Sequence, residues 1–157
     1  MLVQGPLPQE VRCQDQFTQV GIEAFHSARI EAGFPLYGTD FGHENLPQEI
    51  GRDAQAISFT KGCYLGQETV ARIDALGHVN RRLVGVRFTT TSVPQPPLEL
   101  RLDEAVVGHV TSTAYSPRLK APLGLAIVRR EASEPGAKLA SLAGECEVQS
   151  LPATESS

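Results

Sequence analysis

NRRLVGVRFTTTSVPQPPLELRLDEAVVGHV, residues 80–110, changes the texture of the chain. Leu83–Phe88, Leu98–Leu102 and Ala105–Thr113 are short segments rich in Val, Leu and Thr. Pro94-Gln95-Pro96-Pro97 and Asp103-Glu104 separate them, and both are turn-forming combinations. The pattern continues through Leu123–Arg129 and Glu145–Leu151, punctuated by Ser116-Pro117 and Glu134-Pro135-Gly136. Short strands at such intervals predict a small antiparallel barrel or sandwich. A domain boundary is placed near Arg81, giving a first unit over 1–80, a barrel over 81–152 and a disordered tail over 153–157. No internal repeat is found.

Upstream, the pattern is helical. Phe17, Val20, Gly21, Ala24, Phe25 and Ala28 recur near helical spacing, which predicts a helix from about Asp15 to about Glu31. Asp15 suits its N-cap, Gly33 its end, and Pro35 lies just beyond. Residues 34–53 carry Gly38, Gly42, Pro47 and Gly51 and read as a long loop, with Asp40 as a turn former. A second helix is predicted up to about Leu76, with Val70, Ile73 and Leu76 as its buried stripe and Gly77 past its end. The fold class is therefore α+β.

Composition narrows the function. Fourteen Lys+Arg against 18 Asp+Glu leave a net charge of −4, which argues against a basic face for duplex nucleic acid. No apolar run approaches the roughly 20 residues of a membrane helix, and MLVQGPLPQE does not read as a signal peptide. Three Cys without a CxxC pair fit a reduced, cytoplasmic protein better than a disulfide framework or a zinc site. His26, His43, His78 and His109 do not cluster at metal-ligand spacing, so no metal site is expected.

The strongest chemical signal is KGCYLGQE, Lys61–Glu68. Gly62 precedes Cys63 and Gly66 follows three residues on, so the thiol can sit on a tight turn. A helix start just beyond it, together with Lys61, favours thiolate over thiol. Cys63 is thus a candidate reactive or ligating sulfur, with Lys61 as its electrostatic partner. The alternative is a small buried hydrophobe on a shaped turn. Gln67 and Glu68 fall in the first helical turn, where Glu also suits the dipole. Cys13 and Cys146 have no such surroundings, and Cys146 is expected to point inward from a strand. Arg29-Ile30-Glu31-Ala32-Gly33 is the second candidate. A carboxylate at the edge of a pocket can accept N–H bonds from an aminopyrimidine-type heterocycle. The alternative is a solvated Arg/Glu pair at a helix end.

KGCYLGQE resembles the signature of the YgfZ family, folate-binding relatives of the glycine-cleavage T protein. The resemblance extends through ARIEAGFPLYGTD (28–40), VARIDALGHVNRRLVGV (70–86) and VGHVTSTAYSP (107–117), covering roughly residues 15–150. It implies the C-terminal part of a T-protein-like folate-binding domain followed by a small Greek-key-like β-barrel. Members of the family carry a long N-terminal half ahead of this region, so the chain is expected to correspond to a C-terminal portion, with that half as a partner. The resemblance implies tetrahydrofolate as cofactor, in a site that is partial here. It matches Glu31 to the glutamate that contacts the pterin, places Arg29 in the same motif, and makes Cys63 the motif cysteine among Lys61, Gly62, Tyr64, Gly66, Gln67 and Glu68. The implied function is a folate-dependent accessory role in iron–sulfur cluster assembly or repair, supporting cluster-dependent tRNA-modifying enzymes. Its partners would be iron–sulfur proteins or assembly factors. A stable cluster usually takes four ligands, so transfer or protection fits three scattered Cys better than storage. Two alternatives stand beside it: a tetrahydrofolate-dependent aminomethyltransferase, and a non-catalytic interaction module.

Overall fold

A computed structural model describes residues 20–51 and 79–153. Among the described residues, helix α1 (Ile22–Glu31) packs outside a closed six-stranded antiparallel barrel. The strands are β1 (Arg81–Phe88), β2 (Leu98–Leu102), β3 (Ala105–Ser116), β4 (Ala121–Arg129), β5 (Lys138–Ser141) and β6 (Gly144–Gln149), with a short 3₁₀ turn at Arg130–Ala132. Their order around the barrel is β1-β4-β3-β2-β5-β6, and β6 returns to β1 through the register Val86↔Val148. Closure leaves no free sheet edge.

Alternation along the strands builds the interior. Val84, Val86 and Phe88 of β1 meet Leu100, Val107, Val110, Ala126, Val128, Leu139, Cys146 and Val148 inside the barrel. Leu100, Val110, Val128 and Val148 are each fully buried. Burying one such side chain contributes about 1.5–3 kcal/mol. Strand β4, APLGLAIVR, is buried at every position but the last. Its inward residues, Ala126 and Val128, face the barrel lumen, while Leu123 and Leu125 lie in a second cluster with Ile30 of α1, Leu119 and Ala153. Both faces of β4 are covered, so it reads as one apolar run.

The strands follow the expected positions, with one addition. The four-residue β5 was not anticipated, because KLAS offers a single large apolar side chain and no run to mark it.

Helix α1 departs from its expected form. Val20 and Gly21 are extended or coil rather than helical, and Gly21 is the N-cap. Val20 is 63% exposed and Ala24 and Ala28 are exposed, whereas Arg29 and Ile30 are buried. Val20, Ala24 and Ala28 therefore do not mark the face that docks, while Asp15 and Phe17 lie outside the described residues. Polar contacts to the barrel, described below, set the helix's orientation instead. At the C-terminus the expected glycine holds. Gly33 has φ +66, its N–H donates to Ile30 O, and Phe34 N–H donates to Arg29 O at 2.7 Å. This 6→1 and 5→2 pair is a Schellman motif.

Candidate functional site

The last turn of α1 carries both described candidates, Arg29 and Glu31, and they face different partners. Arg29 is 4% exposed. Its Nη1 donates to Asp40 Oδ2 at 2.8 Å and to the Phe34 carbonyl at 3.3 Å, Nη2 to Ser112 Oγ at 2.7 Å, and Nε to His26 Nδ1 at 2.9 Å. Four of its five donors are thus engaged within the protein. Asp40 is fully buried as well, accepting from Leu36 N at 2.8 Å and from Thr111 Oγ1 at 2.6 Å. Each charge is paired and hydrogen-bonded, the condition under which a buried ion pair persists.

Strand β3 supplies two consecutive hydroxyls to this pair, which regular alternation would forbid. The register runs Val110↔Ala126 and then Ser112↔Leu125, so Thr111 is an extra residue. This bulge turns Ser112 outward beside Thr111, and both reach the Arg29–Asp40 pair.

Glu31 lies one further step along the helix, and its side chain is 19% exposed. Its Oε1 accepts from Ser116 Oγ and, at 3.4 Å, from Arg118 N–H. Oε2 faces Arg118 Nε at 3.9 Å. Ser116 Oγ also accepts from Leu119 N–H at 3.0 Å, so the tip of the β3–β4 hairpin is shaped around the hydroxyl that meets Glu31. The Glu31 carbonyl accepts from Ala153 N–H at 2.8 Å, and the Arg118 guanidinium donates to the Ala153 carbonyl. An ionised carboxylate offers about four acceptor positions. Oε1 takes two of these, and among the described residues Oε2 has only the long contact to the half-exposed Arg118, which leaves it acceptor capacity.

Lys61, Gly62, Cys63, Tyr64, Gly66, Gln67 and Glu68 lie outside the described residues, as do the second helix expected up to Leu76 and Cys13. Cys146 points into the barrel as expected, and burial pushes its thiol up to about 11. Among the described residues, no group of three His, Cys, Asp or Glu side chains is placed to hold a metal ion. No described helix is long and apolar enough to cross a membrane.

Residues 81–152 match the family profile described as "Glycine cleavage T-protein C-terminal barrel domain". A solved structure, the glycine cleavage system aminomethyltransferase T from Bartonella henselae, superposes with a TM-score of 0.74 at 23% identity, over 84% of this chain and 38% of that one. The fold is glycine-cleavage T-protein-like.

Sequence relatives agree with this T-protein-like fold. The "Aminomethyltransferase" of Thermoanaerobacter pseudethanolicus is 33% identical over 108 residues, 69% of this chain and 29% of that protein. The "Aminomethyltransferase" of Halalkalibacterium halodurans is 32% identical over 119 residues, 76% of this chain and 32% of that protein. The chain spans about a third of the length of the curated relatives it matches.

Sequence reasoning missed most of the network in this T-protein-like frame. Asp40 does sit in the expected turn, its N–H donating to the Leu36 carbonyl, but it is also the buried counter-ion of Arg29, which was not foreseen. Thr111, Ser112, Ser116 and Arg118 sit more than 70 residues from their partners, and only a bulge and a hairpin tip bring them there. Arg29 and Glu31, two positions apart in the motif, do not pair with each other: each is bound to a different part of β3 or its hairpin.

Proposed function

We propose that this protein is a tetrahydrofolate-binding, T-protein-like accessory factor for iron–sulfur proteins, in which Glu31 holds the pterin and Cys63 is the reacting group. The observation carrying the cluster role is the octapeptide KGCYLGQE at Lys61–Glu68. A thiolate favoured by Lys61 and a helix start can contact iron or a thiol partner transiently. Its clients in this reading include cluster-dependent tRNA-modifying enzymes. The T-protein-like fold and the open acceptor on Glu31 support the folate part. Tetrahydrofolate, when bound, supplies the one-carbon carrier chemistry. Glu31 orients its heterocycle, and Arg29, with four donors committed inside the protein, fixes the helix end from which Glu31 projects.

Calorimetric titration of tetrahydrofolate against the protein tests the folate assignment. Glu31→Gln keeps the shape and removes the charge, and is expected to weaken binding at least tenfold, about 1.4 kcal/mol. Absence of saturable binding to the unsubstituted protein, or equal affinity in Glu31→Gln, would overturn it.

A second reading is aminomethyl transfer to tetrahydrofolate, favoured by the relatives at 32–33% identity. Ammonia released from an aminomethylated carrier protein in the presence of tetrahydrofolate would establish it. The accessory reading expects none.

A further inference from the structure

We propose that Arg81, Arg129 and Arg130, at one end of the barrel, form a binding site for a small oligo-anion carrying two or three phosphate or carboxylate groups. The site stands apart from Glu31 and does not depend on the folate reading. Arg81 and Arg129 are direct register partners across the antiparallel β1–β4 ladder. Like charges placed opposite one another in this way repel, and a strand pair normally avoids them. Arg130 follows immediately, tied into place by its backbone N–H to the Asn80 carbonyl at 2.9 Å. All three side chains are exposed and line one cavity of about 820 Å³.

Among the described residues the arginines are under-neutralised. Among the described residues, neither Arg81 nor Arg130 has an ion-pair partner. Arg129 meets one described carboxylate, Glu131, at 3.8 Å, with the two side chains 60% and 67% exposed. Such an exposed, long contact is worth little and exchanges readily. Glu131 and Glu134 also line the cavity, so among the described residues three guanidinium groups face two carboxylates. A single anionic group would gain little there, whereas a ligand with several can bridge Arg81, Arg129 and Arg130 together. The planar fork of arginine suits phosphate and carboxylate oxygens alike. A chain of net charge −4 has no general electrostatic reason to concentrate arginines at two paired strand ends.

The test is calorimetric titration of the full chain with tripolyphosphate and, separately, with citrate. Saturable binding of about one equivalent is expected for at least one of them, and the tighter one assigns phosphate or carboxylate as the natural group. Arg81→Gln/Arg129→Gln should weaken that binding at least tenfold while leaving the melting temperature unchanged or raised, since it removes a repulsion. Arg130→Gln, a change at an exposed turn residue, should weaken it severalfold. Arg87→Gln, the same change of charge at the other end of β1, should leave it unaltered. The proposal is overturned if neither anion binds saturably, if the double variant and Arg130→Gln bind like the unsubstituted protein, or if Arg87→Gln loses as much as they do.

Discussion

Arg29 shows how much one residue's role depends on what surrounds it. In the sequence it stands two positions before an acidic residue at a helix end, where a solvated pair is the ordinary outcome. In the fold its side chain is 3% exposed and paired to an Asp40 side chain that is fully buried. Removing one member of such a pair leaves an uncompensated buried charge and costs about 3–5 kcal/mol. Asp40→Ala is therefore expected to destabilise by that amount in urea unfolding, and the double variant Arg29→Met/Asp40→Ala to recover part of the loss. A strictly additive double variant would contradict the pairing. Cys146 makes a second prediction at this scale, through pH. Its thiol is raised from 9.0 to about 11 by burial, so the folded state resists ionisation that the unfolded chain allows. Stability from this group is complete below pH 9 and is lost as pH rises through about 11, a fall of roughly 2–3 kcal/mol. Cys146→Ala should remove that share of the alkaline decline when the two proteins are unfolded side by side from pH 8 to 11. Identical pH slopes would refute it. The inward direction of Cys146 was legible from its alternation with Glu145 and Glu147. The burial of Asp40 was not, because nothing local distinguishes a turn aspartate from one that meets an arginine eleven residues earlier.

The elements follow the same division. Strands were readable because alternation of apolar and polar residues is local, and a barrel uses that alternation throughout. Strand β5 was not, since it gains its place by pairing with β6 over four register positions and with β2 at Arg101↔Ala140 rather than by its own pattern. The docking face of α1 was also hidden. It is set by Arg29 reaching Ser112, Ser27 Oγ donating to the Tyr115 carbonyl at 2.8 Å, and Glu31 reaching the β3–β4 hairpin, all products of long-range folding. What was legible in α1 is its stop. Gly33 combines positive φ with a site where an added Cβ would lie 2.8 Å from Leu151 Cβ. Gly33→Ala is expected to cost about 2 kcal/mol and lower Tm by about 4–8 °C. A Tm within one degree of the unsubstituted protein, flagged by thermal scanning, would show the turn to be more tolerant than the Schellman geometry implies.

At the level of the whole molecule, a T-protein-like barrel carries a helix whose last turn presents Glu31, and the chain spans about a third of the length of its curated relatives. The barrel was foreseeable from residues 80–151 alone. The site was foreseeable only as a pair of motifs: Arg29–Gly33, now seen joined to β3 and its hairpin, and Lys61–Glu68, outside the described residues. Folate binding and cluster chemistry are separable in this account, because Glu31 and Cys63 stand in different motifs. Glu31→Gln should therefore lower folate affinity without altering the reactivity of Cys63 toward an alkylating probe, measured by mass spectrometry as a rate. The most direct trial is genetic. In a strain lacking this gene, restoring the unsubstituted protein should recover the activity of cluster-dependent tRNA-modifying enzymes, read as the level of modified nucleosides, and Cys63→Ser should leave it at the level of the empty strain. Full recovery by Cys63→Ser would contradict the account.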